Sequence, residues 1–362
     1  MQNSRDISLA SMNLYNLQVP GGKMYRGATY TQDEYDAKIA WTAGMLQRLQ
    51  ADMIAFQELW SREALADAFA KAGLSEQYRL AFITEEGGWR GITVAAAVRK
   101  PWVILDWERF KKFPLELSLT KRDVPETEIL APDGADVPSE DVGANQEDEE
   151  ADIRIDKFSR SPLRLTVGHS ERSDVPPISV FCCHLKSKMP TQLDRGHPDY
   201  EAMKPHATAI GSALSTIRRT AEATALRVIL NKHMKDNDLQ TVVLGDLNDG
   251  QMSNTLNILG DQPSYRVYAD SRAARRNDDG LYSAATMQQL RTLDDVLYTH
   301  EFKGIREVLD HVLVSEQFYD HSDRRRWAFR ELKVWNDHVE DVDDESSSDH
   351  GVVRASFDWL PV

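Results

Sequence analysis

The stretch Val242–Gly250 reads VVLGDLNDG, an apolar run that stops on Gly, Asp, Asn and Asp. Two readings of it stand side by side. The plain one is a strand closing into an Asp249-Gly250 turn. The chemical one puts Asp246 and Asn248 on the last residues of a strand, facing a reacting group. The same placement recurs along the chain: Asn13 in ISLASMNL, Glu58 after DMIAFQ, His184 after the strand-like ISVFCC, Asp310 in VLDHVLV, and Asp349-His350 in SSSDHG before VVRASF. Each alone has an ordinary explanation: a solvated Glu, a satisfied His, an Asp-His turn. Recurrence at strand ends from Asn13 to His350 weakens those explanations, because side chains at one end of packed sheets converge on a single crevice. Carboxylates, two amides and two imidazoles there would make a hard-cation site beside an acid/base system. Oxygen donors of this kind suit Mg²⁺ or Mn²⁺ better than zinc.

The elements needed to hold these residues are legible. Ile7–Leu14, Asp52–Gln57, Ile92–Arg99, Trp102–Phe110, Leu163–Gly168, Ile178–Cys183, Val308–Val314 and Val352–Phe357 read as strands, joined by the strand that ends on Asp246. Leu163–Gly168 and Ile178–Cys183 are expected to pair antiparallel across HSERSDVPP. Glu34–Gln50 carries Ile39, Met45, Leu46 and Leu49 at helical spacing. Ser61–Ala72 is a second helix with Ser61 as N-cap and no capping box, since Ala64 stands three residues on. His206–Met234 is a long helix with Arg218, Arg219 and Arg227 among its apolar residues. There is no internal repeat. Strands mixed with helices, without strict βαβ alternation, give an α/β sandwich of sheets flanked by helices.

The 362 residues, 41% of them hydrophobic, can fill the core of one large α/β domain spanning residues 1–362. No run approaches the ~20 apolar residues of a membrane span, and the N-terminal stretch reads as carrying no secretory signal. Cys182 and Cys183 are adjacent, so a bridge between them would be strained, and both read as packing residues. A chain without a disulfide framework fits the cytoplasm. The net charge of −15 argues against a polyanionic partner only until its distribution is seen. Residues 121–152 hold 12 acidic and 2 basic side chains, and 337–345 hold 6 acidic side chains; elsewhere 40 acids face 41 bases. Segment 121–152, rich in Pro and Gly and poor in aromatics, reads as a mobile acidic insertion within the domain.

In order, SMNLYNL, DMIAFQELW, FSRSPLRL, FCCHLKSK, LGDLND, LDHVLVS and SSDHGVV resemble the motifs of the endonuclease/exonuclease/phosphatase superfamily, the deoxyribonuclease I-like fold. The resemblance spans nearly the whole chain and looks closest to bacterial nuclease-like members. It implies a four-layered α/β/β/α sandwich. It also implies that Glu58 is the principal metal ligand, with Asn13 nearby and Asp349 completing the set. Asp246 and Asn248 would orient the attacking water and hold a non-bridging phosphate oxygen. His350, polarised by Asp310, would form an acid/base dyad, and His184 would donate to the phosphate or the leaving oxygen. In one respect the chain departs from the family: where deoxyribonuclease I has an Arg-Glu-Pro step that gives its first catalytic histidine a carboxylate, this sequence reads Arg160-Ser161-Pro162.

The chemistry explains the residue types. Phosphodiester hydrolysis builds negative charge that a divalent cation neutralises, and histidine exchanges protons near neutrality. The fold does not fix the substrate. The nuclease-like motifs, with Lys186, Lys188 and Arg195 after His184 and Arg272, Arg275 and Arg276 in a later loop, point to a nuclease acting on DNA or RNA, with Lys186, Lys188 and Arg272 as phosphate contacts. A lipid phosphoesterase would need an apolar docking element, for which GGWRG at 87–91 is thin support. A phosphatase for small phosphoesters and a catalytically inactive scaffold of the same fold are the remaining alternatives. GxxxxGK[ST], HExxH and GxSxG are absent.

Overall fold

The computed structural model describes residues 6–83, 91–118, 154–261, 263, 265, 277–292, 298–302, 305–340 and 346–360. The acidic insertion, Arg272, Arg275, Arg276 and Trp89 lie outside the described residues. In chain order the strands are β1 (Ile7–Leu17), β2 (Met53–Leu59), β3 (Tyr78–Phe82), β4 (Thr93–Arg99), β5 (Trp102–Arg109), β6 (Lys112–Ser118), β7 (Arg154–Lys157) and β8 (Leu163–His169). They continue with β9 (Ile178–His184), β10 (Gln240–Asp246), β11 (Tyr282–Ser283), β12 (His300–Phe302), β13 (Ile305–Glu307), β14 (Asp310–Val314), β15 (Trp327–Trp335) and β16 (Val352–Trp359). The α-helices are α1 (Gln32–Leu49), α2 (Arg62–Lys71), α3 (Tyr200–Met203), α4 (Ala207–Met234), α5 (Asn254–Gly260) and α6 (Ala284–Gln289).

Two six-stranded sheets form the centre, in the orders β15-β16-β1-β2-β4-β3 and β11-β14-β10-β9-β8-β5. Alternation sorts each strand between two packing environments. In β1 and β2, Ile7, Leu9, Met53 and Ala55 face the opposing sheet, while Ala10, Met12, Ile54 and Phe56 face α1 and α2. In β9 and β10, Val180, Cys182, Val242 and Leu244 face inward, while Phe181, Cys183 and Val243 pack against Ala223, Leu226 and Leu230 of α4. Both faces of both sheets are therefore covered, which is why these strands read as continuous apolar runs. The result is an α/β/β/α sandwich. Cys182 and Cys183 are free, buried and on opposite faces.

Local chemistry sets the helix ends. Thr31 and Glu34 form a capping box ahead of α1 that the sequence reading did not include, and Gln50 closes it in a left-handed conformation. Ser61 caps α2 through its hydroxyl, with the Ala64 N–H donating over 3.1 Å. Leu163 to Val167 pair antiparallel with Ile178 to Cys182, as the sequence indicated. Edge strand β15 is an addition: its charges and a register shift between Phe329 and Glu331 break the alternation that would have marked it.

Gly245 shows how tightly β9 and β10 approach. Its φ is +149°, and a Cβ there would lie 1.9 Å from the carbonyl oxygen of Cys183. No side chain fits, so glycine must precede Asp246.

Candidate active site

Register alone brings three polar side chains together. Asp246 ends β10 opposite His184 of parallel β9 and opposite Asp310 of antiparallel β14. Cross-strand partners project to the same face, and these three continue the inward face of Cys182, Leu244 and Val312. The apolar layer between the sheets thus ends on a polar row. His311 points the other way, its Nε2 2.9 Å from the carbonyl oxygen of Asp249.

The first sheet supplies the other side. Asn13 of β1 pairs with Gln57 of β2 and shares the inward face. Strict alternation would turn Glu58 outward, toward the helices. A register shift between Phe56 and Leu59, with Glu58 at φ +57°, redirects its carboxylate to 4.0 Å from His184 Nε2. Asn248 is also left-handed, at φ +55°. Asparagine tolerates that region, whereas glutamate does so only where the surrounding structure holds it.

Asp246 is the hub. Its Oδ2 accepts from Asn13 Nδ2 (3.2 Å) and Asn248 Nδ2 (3.1 Å), and its Oδ1 accepts from the Asn248 N–H (2.8 Å). His184 Nε2 lies 3.4 Å and His350 Nε2 3.9 Å from Oδ2. Burial, reinforced by Asp310 and Glu58 and opposed by His350, pushes the Asp246 carboxyl up to about 7. Asn248 also donates to the Leu185 carbonyl, so both amide hydrogens serve the protein and its Oδ1 is the atom left for other partners.

His350 Nδ1 stands 2.7 Å from Asp310 Oδ2, with the carboxylate accepting. Nε2 is thereby left facing the crevice. Burial alone would lower the imidazolium's pKa, but Asp310, Asp246 and Asp349 outweigh it and hold it well above the usual value. The loop carrying His350 is anchored to β1, because Ser348 Oγ donates to the Asn13 carbonyl and accepts from the His350 N–H. Buried Lys38 of α1 donates to the Ser347 carbonyl. The buried Thr299 hydroxyl accepts from the N–H groups of Leu309 and Asp310.

His184 is 1% exposed, and neither ring nitrogen has a hydrogen-bond partner among the described residues. Burial, with Arg160 and His350 adding to it, keeps this imidazole neutral by lowering its pKa well below the ordinary value. Its ion-pair-range carboxylates among the described residues are Asp246 and Glu58. Asp310 Oδ1 and Asp349 Oδ1 are also buried and unpartnered. Burial and the charge of Asp349 raise the Glu58 pKa against the pull of His350, Arg160 and Asn13.

Orphaned carboxylate oxygens and a carboxylate destabilised by its neighbour fit a hard divalent cation. Glu58, Asn13 and Asp349 would hold it. Among the described residues two clusters have ligand atoms mutually within 4.8 Å, Asp246-Asp310-His350 and His300-Asp349-His350, and Glu58 belongs to neither. His300 was not singled out in the sequence. It sits on three-residue β12, too short for any periodicity, and reaches His350 through an isolated bridge and a 5.0 Å ring contact.

The expected phosphate contacts are placed differently. Lys186 Nζ donates to the Met189 and Ser187 carbonyls of its own loop, and burial lowers its pKa. Lys188 Nζ is 2.7 Å from Glu307 and 3.8 Å from Asp249. Helix α4 braces these loops from beneath. Glu222, fully buried, accepts from the N–H groups of Ser159 and Lys186, while Arg219 reaches Asp249 and the Lys186 carbonyl. Asp249 is therefore an anchored residue, and more than a turn former.

The sequence profile of the Endonuclease/Exonuclease/phosphatase family matches residues 15–350. The chain belongs to this family. Family members are metal-dependent phosphoester hydrolases. No curated protein matches the chain significantly in sequence. Among solved structures, a family protein from Bacteroides vulgatus aligns over 98% of this chain and 99% of its own, at 12% identity and a TM-score of 0.52. A mannosyl-6-phosphatase from Bacteroides thetaiotaomicron aligns over 98% and 100%, at 13% identity and TM-score 0.51. The human Nocturnin catalytic domain with bound sulfate aligns over 98% and 95%, at 14% identity and TM-score 0.50. At such identities the likeness speaks to the fold, and that fold agrees with the sandwich described above.

Proposed function

We propose that the protein is a Mg²⁺- or Mn²⁺-dependent phosphodiesterase that hydrolyses a nucleic-acid backbone, with water as the attacking group. The observation carrying this reading is the pair of imidazoles flanking Asp246: His350 held by Asp310 on one side, His184 unpartnered on the other. A phosphodiester has a poor alkoxide leaving group, so one proton must be taken from water and another delivered across the phosphorus.

Asp246, with a pKa near neutrality, suits the first task. His350 Nε2 can give or take a proton because Nδ1 is committed to Asp310. His184 Nε2, neutral and desolvated, can donate to a phosphate oxygen. Asn13 and Asn248 hold the Asp246 carboxylate in place. A divalent cation held by Glu58, Asn13 and Asp349 would neutralise the charge developing on the phosphate oxygens.

The engagement of Lys186 and Lys188 within the protein favours a second reading, a phosphatase for small soluble phosphoesters, because it removes two contacts a long polyanion would use. Cleavage of plasmid, linear duplex, single-stranded DNA and RNA, in Mg²⁺, Mn²⁺ and EDTA, separates the two. Metal-dependent cutting of any polymer supports the nuclease reading. Silence on every polymer, with turnover of small phosphomonoesters, overturns it in favour of the second reading.

A further inference from the structure

Beside the crevice lies a cavity of about 150 Å³, several times the space that one water needs. Its lining includes Lys111, Lys157 and Arg160 with the hydroxyl residues Thr93, Ser159 and Ser161, and among the described residues no carboxylate. Three cations gathered at one cavity stand out in a chain of net charge −15. The Lys111 and Lys157 side chains are exposed, and among the described residues the buried Nε of Arg160 has no hydrogen-bond partner.

The cavity adjoins the reacting centre at two points. Thr93 of β4 pairs with Leu59, the residue after Glu58. Arg160 Nη1 donates over 3.2 Å to the carbonyl of Leu185, the residue after His184. The walls are fixed before any ligand arrives. Phe158 N–H donates to the Lys111 carbonyl, Arg218 donates to the Lys157 carbonyl, and Glu222 accepts from Ser159 N–H.

We propose that this cavity is a subsite for a second phosphate of the substrate, adjacent to the phosphoester that is cleaved. The assignment rests on the phosphoester-hydrolase reading of the main crevice. Cations converging on one cavity, with hydroxyls between them, recognise a compact phosphate anion. That anion is either a neighbouring phosphate of an oligonucleotide, singly charged within the chain and doubly charged at a 5′ end, or a second phosphate on a small molecule.

The test compares the full-length protein with Lys111→Ala/Lys157→Ala, whose exposed side chains make a folding defect unexpected. Inorganic pyrophosphate is titrated in EDTA, so that binding is read without metal or turnover. The double variant should bind it about tenfold more weakly, given two lost charge-assisted contacts. In parallel, KM is measured for bis(p-nitrophenyl) phosphate, for a dinucleotide with and without a 5′-phosphate, and for a sugar bisphosphate. KM should rise about tenfold only for substrates with a second phosphate, with kcat little changed. A rise confined to the phosphorylated dinucleotide identifies the nucleic-acid source, and one confined to the bisphosphate identifies the small molecule. Unchanged pyrophosphate affinity, or an equal KM rise on bis(p-nitrophenyl) phosphate, overturns the subsite while leaving the hydrolase reading intact. Weakened pyrophosphate binding in the double variant, with a wild-type protein that hydrolyses none of these substrates, overturns the hydrolase reading and keeps the anion site.

Discussion

Strands β1 and β2 carry a buried carboxylate near each end, and the two are treated in opposite ways. At the start, Asp52 Oδ2 accepts from the Ser8 N–H (2.8 Å) and the Ser8 hydroxyl (2.7 Å). Six residues after Asp52, Glu58 stands beside unpartnered His184 and within the field of Asp349. The far end of β14 resembles Asp52: Glu316 accepts from Asn277 N–H, Ser322 Oγ and Arg324. Closed polar networks hold a fold together, whereas open ones hold a place for something else. Burial is common to both ends, so burial alone does not mark the site. Unpartnered carboxylate oxygens do: among the described residues they are Oδ1 of Asp310 and Oδ1 of Asp349, both at the crevice.

The largest expected effect is on Glu58→Gln, which should lower the metal-dependent rate by about a thousandfold or more, as loss of a charge-neutralising ligand does. Its thermal melting should hold or rise, because a carboxylate repelled by Asp349 has gone. Near-wild-type turnover at saturating Mg²⁺ and Mn²⁺ would remove Glu58 from the open end of the comparison. Next comes His350→Ala, with an expected loss of about 10² to 10⁴ in kcat. Asp310→Asn should cost less, and the double variant little more than His350→Ala alone, since the two act as a unit. Additive losses would break the dyad.

At the closed end the effect moves from rate to stability. Asp52→Asn should lower unfolding free energy by about 1–3 kcal/mol and leave kcat of the folded enzyme unchanged. Its pH dependence sharpens the point. Burial raises the Asp52 pKa despite the Ser8 hydrogen bonds, so the folded chain holds this proton more tightly than the unfolded chain. The carboxyl's contribution is therefore fully present below its unfolded pKa and is lost as pH rises through the folded one. Denaturant midpoints of both proteins from pH 3 to 7 should converge accordingly, and a gap that widens with pH would reverse the assignment. The smallest effect belongs to Lys188→Ala. Half-exposed ion pairs contribute about 0–1 kcal/mol, so stability and turnover on a small phosphodiester should both stay near wild type. A large loss of turnover would move Lys188 into the catalytic set.

Much of the frame could be read from residue order. Alternation and caps located the strands and helices that carry Asn13, Glu58, His184, Asp246, Asp310 and His350, usually within a few residues. What escaped had weak local signals: β15 with its break at Phe329/Glu331, three-residue β12 with His300, and the α4 brace of Glu222 and Arg219. In a helical pattern those two charges look like solvated residues, yet both are buried.

By itself the sequence determined which residue types end the strands. Only the tertiary structure decided which way those residues point. Period-two alternation says which side chains share a face, but not which sheet lies opposite or where a bulge resets the count. Glu58 reaches the crevice because β2 bulges at a left-handed residue, and Asp310 faces inward while His311 faces α4's side because of the β10–β14 register. Likewise Lys188 is held by Glu307, 119 residues away, a pairing that no local pattern encodes because only folding brings the two together.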